Sequence, residues 1–240
     1  MTEQQTTAAG LRREWQAFWL AMGFLTRIPV PVTVDYSQRL MNQCSVYFPL
    51  VGLLLGGLYA GLYTLLAGFW SPQVCVLLVL GFHLWITGAF HEDGMADCAD
   101  GLGGGYTVAR RLEIMKDSRI GTYGAVALGV TLALKVALLT DTQPVWLALL
   151  LAPAISRLTP LCLMRALVYV SDPDTSKSKP VAEGFSGQRL GVAVVSVVLV
   201  WGAMLRRSLG GYTGDALGAS VILSELVFLL MLVQGQEGRF

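Results

Sequence analysis

The feature that most constrains the fold is a series of apolar runs, each close to the length of a membrane-crossing helix. They cover residues 48–69, 73–90, 120–140, 145–163, 190–205 and 216–233. A helix that spans a bilayer needs about 20 mostly apolar residues, so the run at 190–205 is short for a crossing. The sequence therefore predicts an all-α, polytopic membrane protein with about six transmembrane helices, in one integral-membrane domain over residues 1–240.

The composition excludes an ordinary soluble domain. The chain is 54% hydrophobic and 14% charged, whereas soluble domains carry about 25% charged residues. A net charge of +1 gives no sign of a nucleic-acid partner. The four cysteines form no CxxC pair, so neither a disulfide nor a zinc site is expected. Residues 1–10 are predicted to be disordered, and residues 11–28 to form an amphipathic helix at the membrane surface.

The stretch that follows the second apolar run is unusually acidic. It carries four carboxylates, Glu92, Asp93, Asp97 and Asp100, within nine residues. If it is helical, the three aspartates at i, i+4 and i+7 share one face. Their mutual repulsion calls for compensation, and a hard divalent cation, which prefers oxygen ligands, is the natural candidate.

Glycines and cations follow the acids. The glycines allow close approach of a ligand to the backbone, and the cations suit phosphate groups; they are Gly101, Gly103, Gly104 and Gly105, then Arg110, Arg111, Lys116 and Arg119. Together with the acids they indicate a phosphoryl-transfer site. The alternative is a solvated connector between two membrane helices.

Several polar residues interrupt the apolar runs. His83 is expected to be packed and hydrogen-bonded, and Lys135 to pair with an acid or reach an interface. Arg157, between two prolines, should face the bundle interior and hold an anion, or else form a structural ion pair. His91 abuts the acids and is a candidate for touching substrate or orienting a carboxylate. The pairs Gly52/Gly56 and Gly57/Gly61 predict close helix packing.

Basic residues predict the orientation. The regions 12–39, 110–119 and 165–189 are all basic and are separated by two spans each, which places all three in the cytoplasm. Strict alternation would then put Arg206, Arg207 and Asp215 outside. Either the run at 190–205 does not fully cross, or Thr213 and Asp215 lie inside the bundle. The loop 171–189 is expected to be a mobile lid or a substrate-facing segment.

Four segments resemble one known family, the cobalamin synthases, also called adenosylcobinamide-GDP ribazoletransferases or cobalamin-5′-phosphate synthases. The resemblance covers about residues 20–230 and is carried by FLTRIPVP at 24–31, HEDGMADCADG at 91–101, MKDSRIGTYG at 115–124 and GGYTGDALGA at 210–219. The family's acidic run has Leu where Glu92 stands.

The resemblance implies a magnesium-dependent enzyme of the bacterial inner membrane with its active site facing the cytoplasm. The enzyme would join adenosylcobinamide-GDP to α-ribazole or its 5′-phosphate in the last steps of cobalamin biosynthesis. A ribose hydroxyl attacks the phosphorus on the cobinamide arm, and GMP leaves. Its expected partners are the corrinoid nucleotide, α-ribazole and membrane lipid. A homo-oligomer and other corrinoid-pathway enzymes are further candidate partners.

We assign roles to the matching residues. Asp93, Asp97 and Asp100, with Glu92, are predicted metal ligands, and Asp97 and Asp100 are also predicted to be catalytic. Asp117 is a further ligand or the general base. The predicted substrate-binding residues are His91, Lys116, Arg119, Arg110, Gly103, Gly104, Thr213 and Asp215, with Gly101 and Gly105 completing a phosphate cradle. For Thr213 and Asp215 the alternative is a polar helix cap.

Two other functions compete with this one. Asp97–Gly101 fits the D-x2-D-G fragment of the CDP-alcohol phosphotransferases, whose fold the chain could distantly share and which act on lipid head groups. Their next element, A-R two residues later, occurs here only at Ala109–Arg110, and their downstream G-x3-D-x3-D is absent. A transporter would spread its acids through several spans near the midplane, whereas these cluster at one membrane edge.

Overall fold

The computed structural model describes residues 3–34, 37–170 and 192–236. Eleven α-helices run through these residues. In chain order they are α1 (Glu3–Leu25), α2 (Gln38–Cys44), α3 (Phe48–Leu66), α4 (Pro72–Thr87), α5 (Phe90–Gly104), α6 (Val108–Lys116), α7 (Thr122–Asp141), α8 (Val145–Ser156), α9 (Leu158–Ala166), α10 (Val192–Ser208) and α11 (Gly214–Gln236).

Each predicted apolar run contains a helix, and one expectation about the remaining segments is wrong. The expected disorder of residues 1–10 does not hold from Glu3 onward, because α1 begins there. The motif region 91–119 consists largely of the two helices α5 and α6. The predicted lid at 171–189 lies outside the described residues.

The helices make this an integral membrane protein. Four segments of the described chain are long and apolar enough to cross a bilayer: Arg39–Leu66, Thr122–Asp141, Val145–Ala166 and Gly214–Gln234. Helices α4 and α5 qualify only as a pair bent by 86°. The bend follows from left-handed backbone at Gly88 (φ 67°) and Ala89 (φ 55°). The described residues thus contain four or five qualifying segments against about six predicted, and α10, with 17 residues, is not among them.

The segment after α9 and the segment before α11 lie next to each other. Tyr169 and Tyr212 form an isolated parallel bridge, with Tyr212 N donating to Val168 O (2.9 Å) and Val170 N donating to Tyr212 O (3.1 Å). Hydrogen-bonded residues lie at one depth in the membrane, so the path from 170 to 212 makes no net crossing. The start of α11 is therefore on the same side as the segment after α9.

Close helix packing builds the core. Cβ atoms at Gly52 and Gly56 of α3 would collide with the backbone of α8 at Pro153 and Leu150, so these glycines let the two helices touch, as predicted. The second predicted pair, Gly57 and Gly61, has nothing within 4 Å of a Cβ. Only the first half of that packing prediction is confirmed.

Candidate active site

The aspartates lie on one helix, as their spacing predicted. Within α5, Asp93 is exposed, Asp97 is half-buried and Asp100 is buried. The gradient shows that the acidic face enters the protein toward the C-terminal end of α5. It also means that the three carboxylates have different surroundings and different roles.

Asp100 binds the start of α7. Its Oδ2 accepts a hydrogen bond from Gly121 N (2.7 Å), and its Oδ1 accepts one from Gly124 N (2.9 Å). A carboxylate at a helix N-terminus is stabilised by the unpaired N–H groups and by the helix dipole. A Cβ at either glycine would collide with this carboxylate. The contact joins the acidic motif to the segment 115–124.

The start of α11 packs against the acidic helix. A Cβ on Gly94 would lie 2.7 Å from the Asp215 carbonyl oxygen, and one on Gly218 would lie 3.5 Å from His91. Both Asp97 and Asp215 lie close enough to Cys98 to act on its thiol electrostatically. Asp215 therefore belongs to the acidic site. This result resolves the orientation conflict in the sequence, since Asp215 is on the side of the acids.

Thr213 has a structural role in this arrangement. It is buried, and its hydroxyl oxygen accepts a hydrogen bond from Ala216 N (3.1 Å) at the start of α11. That is the bond of a helix N-cap. The structure thus favours the helix-cap alternative for Thr213 over substrate binding, whereas Asp215 sits beside Gly94 as described.

Two of the predicted phosphate-binding groups bind each other. Arg119 Nε donates to Asp117 Oδ1 (3.0 Å) and Nη2 donates to Asp117 Oδ2 (2.6 Å). These side-chain bonds, with a further one from the Arg119 backbone N–H, lower the pKa of Asp117 to about 2. A general base works best with a pKa near the working pH. The pair therefore favours Asp117 as the holder of Arg119 over Asp117 as the base.

The other cations differ in their surroundings. Lys116 is exposed on the last turn of α6. Arg110 is also exposed and pairs with Glu113 (2.8 Å). Arg111 donates to two carbonyl oxygens, those of Gly105 (2.9 Å) and Ser208. Arg111 therefore joins α5, α6 and α10, a role that no sequence pattern could reveal because its acceptors are backbone atoms.

The glycine-rich segment is helical. Gly101, Gly103 and Gly104 form the last turn of α5, and Gly105 is its C-cap. The carbonyl end of a helix attracts cations rather than phosphates. Cβ atoms at Gly101 and Gly105 would collide with Met115 and Arg111, and one at Gly103 with the Tyr123 ring. The glycines expected to form a phosphate cradle therefore form the end of a helix. Gly103 and Gly104 are exposed, and their contact with substrate stays a prediction.

Glu92 is not part of the acidic face. It is buried, and its Oε1 lies 3.0 Å from His83 Nε2, whose Nδ1 lies 2.8 Å from the Tyr59 hydroxyl. Adjacent helical residues point about 100° apart, which explains why Glu92 turns inward beside an exposed Asp93. The structure therefore places Glu92 apart from the other predicted metal ligands, in contact with His83. The prediction that His83 is a packed, hydrogen-bonded residue is confirmed.

A second buried pair stabilises the bundle. Lys135 Nζ lies 2.9 Å from Glu225 Oε2, which confirms the prediction that Lys135 pairs with an acid. Both side chains are about 8% exposed. A buried charge requires such compensation, so this pair holds α7 against α11.

The carboxylates can serve a metal ion only with help from a ligand. Among the described residues, no three His, Cys, Asp or Glu side chains are grouped so as to hold an ion. Asp100 binds α7 and Glu92 binds His83, and the other carboxylates of this region are Asp93, Asp97 and Asp215. Magnesium is commonly held by one or two carboxylates together with substrate phosphates. The arrangement fits an ion that arrives on a diphosphate, and it does not fit a closed protein cage.

Comparison with known proteins gives one consistent result. A family model described as cobalamin-5-phosphate synthase matches residues 17–233. An adenosylcobinamide-GDP ribazoletransferase of Vibrio cholerae is 45% identical, covering 94% of this chain and 96% of its own. Proteins of the same name from Shewanella woodyi (43% identical, 93% and 97%) and Vibrio parahaemolyticus (41%, 97% and 98%) also match. No solved structure matches.

Proposed function

The chain belongs to the cobalamin-5-phosphate synthase family, and we propose that it is an adenosylcobinamide-GDP ribazoletransferase. The observation that carries the proposal is the match to relatives of that name over more than nine-tenths of both chains. In the proposed reaction a ribose hydroxyl of α-ribazole, or of its 5′-phosphate, forms a bond to the phosphorus on the cobinamide arm. The bond from that phosphorus to GMP breaks, GMP carries away the electron pair, and the hydroxyl proton passes to solvent water or to the departing phosphate of GMP.

The acidic face of α5 supports this chemistry. A diphosphate brings a cluster of negative charge, which must be neutralised as the bond to GMP breaks. Asp93 and Asp97, with Asp215 from α11, would hold a magnesium ion that supplies this neutralisation when bound. Asp100 acts from behind this face, since its bonds to Gly121 and Gly124 fix α7 beside α5.

The segment after α6 supplies the positive charge. Arg119 is largely exposed, with its guanidinium held in a two-point contact by Asp117. A phosphate offers the same two-point geometry as this carboxylate. We propose that Arg119 exchanges Asp117 for substrate phosphate, and that Lys116 adds a second cation at the end of α6. Asp117 then keeps Arg119 in place until substrate binds.

The basic regions support an active site that faces the cytoplasm of the inner membrane. With no net crossing between 170 and 212, Arg206 and Arg207 join the basic cytoplasmic set instead of conflicting with it. The bond from Arg111 to Ser208 places the end of α10 beside α6, in agreement with this orientation. A homo-oligomer and contacts with other corrinoid-pathway enzymes stay predictions.

A donor comparison tests the proposed function. Purified protein in detergent would be incubated with Mg²⁺ and α-ribazole 5′-phosphate, together with either adenosylcobinamide-GDP or a CDP-alcohol. We expect GMP from the first donor and no CMP from the second. CMP without GMP would overturn the proposal in favour of a lipid-head-group phosphotransferase.

A further inference from the structure

A cavity inside the bundle contains a buried arginine. The cavity is small, about 40 Å³, and is lined mainly by apolar and aromatic side chains, with Arg157 among them. Side chains of the lining would have to move apart for an organic ligand to enter, since pockets for such ligands are about 300–1,000 Å³. Arg157 is only 2% exposed, and it interrupts the span Val145–Ala166 between α8 and α9. A charge at such a position is costly and is usually functional.

The hydrogen bonding of Arg157 leaves one edge of its guanidinium open. Nη1 donates to Pro153 O (2.7 Å). Nε and Nη2 are buried, and neither has a hydrogen-bond partner among the described residues. These two atoms form the edge that presents parallel N–H donors to a carboxylate or phosphate. Within the described residues no carboxylate forms an ion pair with Arg157, so the structural ion pair that the sequence left open is not seen there.

The walls of the cavity suit a flat apolar group. The rings of Phe24 and Phe48 are stacked at 5.8 Å, and Phe90 packs edge-on to Phe24 at 5.2 Å. Tyr169 and Tyr212 pack together at 5.4 Å. All five rings line the cavity. Aromatic rings favour such offset or edge contacts with another ring, so the cavity offers a ring-binding wall together with one cationic edge.

The cavity also adjoins the acidic site. Gly214 lines it, and the next residue, Asp215, packs against Gly94 of the acidic helix. His91, at the start of that helix, lines it as well. A ligand in the cavity would therefore have one end near Arg157 and could present another end to the carboxylates.

We propose that this cavity binds the acceptor as a nucleoside phosphate, with its apolar base against the aromatic wall and its phosphate on the Nε–Nη2 edge of Arg157. The inference rests on the proposed function, since α-ribazole 5′-phosphate is the acceptor with this chemistry. The sugar then lies on the Gly214 side of the cavity, toward Asp215 and the acidic face. Arg157 thereby makes the enzyme select the phosphorylated acceptor over α-ribazole itself.

The test compares two acceptors and two variants. Lysine in Arg157→Lys keeps the positive charge but loses the two-donor edge, and Arg165→Gln removes an exposed arginine from α9 as the matched control. GMP release would be measured with adenosylcobinamide-GDP and either α-ribazole or its 5′-phosphate. Equilibrium binding of the 5′-phosphate without donor gives a second readout that does not require turnover.

We expect the wild type to prefer the phosphorylated acceptor by about tenfold or more in kcat/KM, as for a hydrogen-bonded charge pair. Arg157→Lys should lose most of that preference and bind the 5′-phosphate correspondingly less tightly. Arg165→Gln should match the wild type in both.

Equal use of both acceptors by the wild type would overturn the inference and leave the proposed function intact. Absence of GMP release with either acceptor would instead refute the proposed function. A phospholipid phosphate is the competing occupant. If Arg157→Lys retains less phospholipid after detergent extraction but keeps the wild-type acceptor preference, the cavity is a lipid site and the acceptor assignment is wrong.

Discussion

Replacing Asp100 by Asn tests the contact that joins the two sequence motifs. Both carboxylate oxygens of Asp100 accept backbone N–H groups of α7, at 2.7 Å and 2.9 Å. Asparagine has the same shape but only one acceptor oxygen. Its NH₂ group would face the second backbone N–H, donor against donor, in a buried position.

The size of the effect follows from these contacts. A hydrogen bond to a charged group contributes about 1.5–3 kcal/mol, and a buried donor left without an acceptor costs about 1–3 kcal/mol. The loss of negative charge at the start of α7 adds about 0.3–1 kcal/mol. We therefore predict that Asp100→Asn lowers the free energy of unfolding by about 3 kcal/mol.

Reversible unfolding in mixed detergent micelles would measure this change, with membrane insertion checked by fractionation. Asp93→Asn is the matched control, because Asp93 lies exposed on the same helix and should change stability by less than about 0.5 kcal/mol. Activity should fall in both variants, but stability only in Asp100→Asn. If Asp100→Asn has the same free energy of unfolding as the wild type, Asp100 does not hold α7 and the role we assign to it is wrong.

Three further predictions concern the cations, pH and topology. Arg119→Ala should lower kcat/KM for GMP release about 10²-fold, whereas Arg165→Ala, at an exposed arginine of α9, should stay near the wild type. Equal small losses in both variants would mean that Arg119 does not bind substrate phosphate. Arg119 lowers the pKa of Asp117 to about 2. The carboxylate therefore stays charged as the pH falls through the ordinary aspartate pKa, and it takes up a proton only near pH 2. Asp117→Asn should therefore leave the acid limb of the pH–rate profile unchanged, and a displaced limb would restore Asp117 as the base. For topology, single cysteines would be introduced into a cysteine-free form of the protein in intact cells. An impermeant thiol reagent should label Phe69→Cys from outside, but Arg206→Cys only after the membrane is opened. Labelling of Arg206→Cys from outside would contradict the absence of a net crossing before α11.

Much of the fold could be predicted because the bilayer imposes a simple requirement. A spanning segment must be apolar and helical, so the apolar runs located the helices, and the i, i+4, i+7 spacing placed the three aspartates on one face of α5. The break between α8 and α9 falls at Arg157, a charged residue between two prolines that the sequence already marked as an interruption of the apolar run. The described residues contain four or five qualifying spans against about six predicted, and α10 is not among them; its predicted run was already short for a crossing.

The tertiary contacts of the site could not be predicted from the sequence. The spacing of Asp100 from Gly121 and Gly124 indicates no contact, and backbone N–H groups leave no trace in residue identity. Nothing in the run of acids distinguished Glu92, bound to His83, from its exposed neighbour Asp93. The D-G pair at Asp93–Gly94 was a signal that could have been read, because a helical glycine beside an acid marks a close approach of another helix, here α11.

The most direct test of the central claim is GMP release by Asp97→Asn. Asp97 is the half-buried carboxylate of the acidic face, close to the same Cys98 thiol as Asp215, and the proposed reaction requires it for charge neutralisation during transfer. With adenosylcobinamide-GDP, α-ribazole 5′-phosphate and Mg²⁺, the variant should release GMP about 10²-fold or more slowly than the wild type, with normal membrane insertion and stability. The control Glu113→Gln, an exposed carboxylate paired with Arg110, should match the wild type. Near-normal GMP release by Asp97→Asn would contradict the account and place the chemistry elsewhere in the protein.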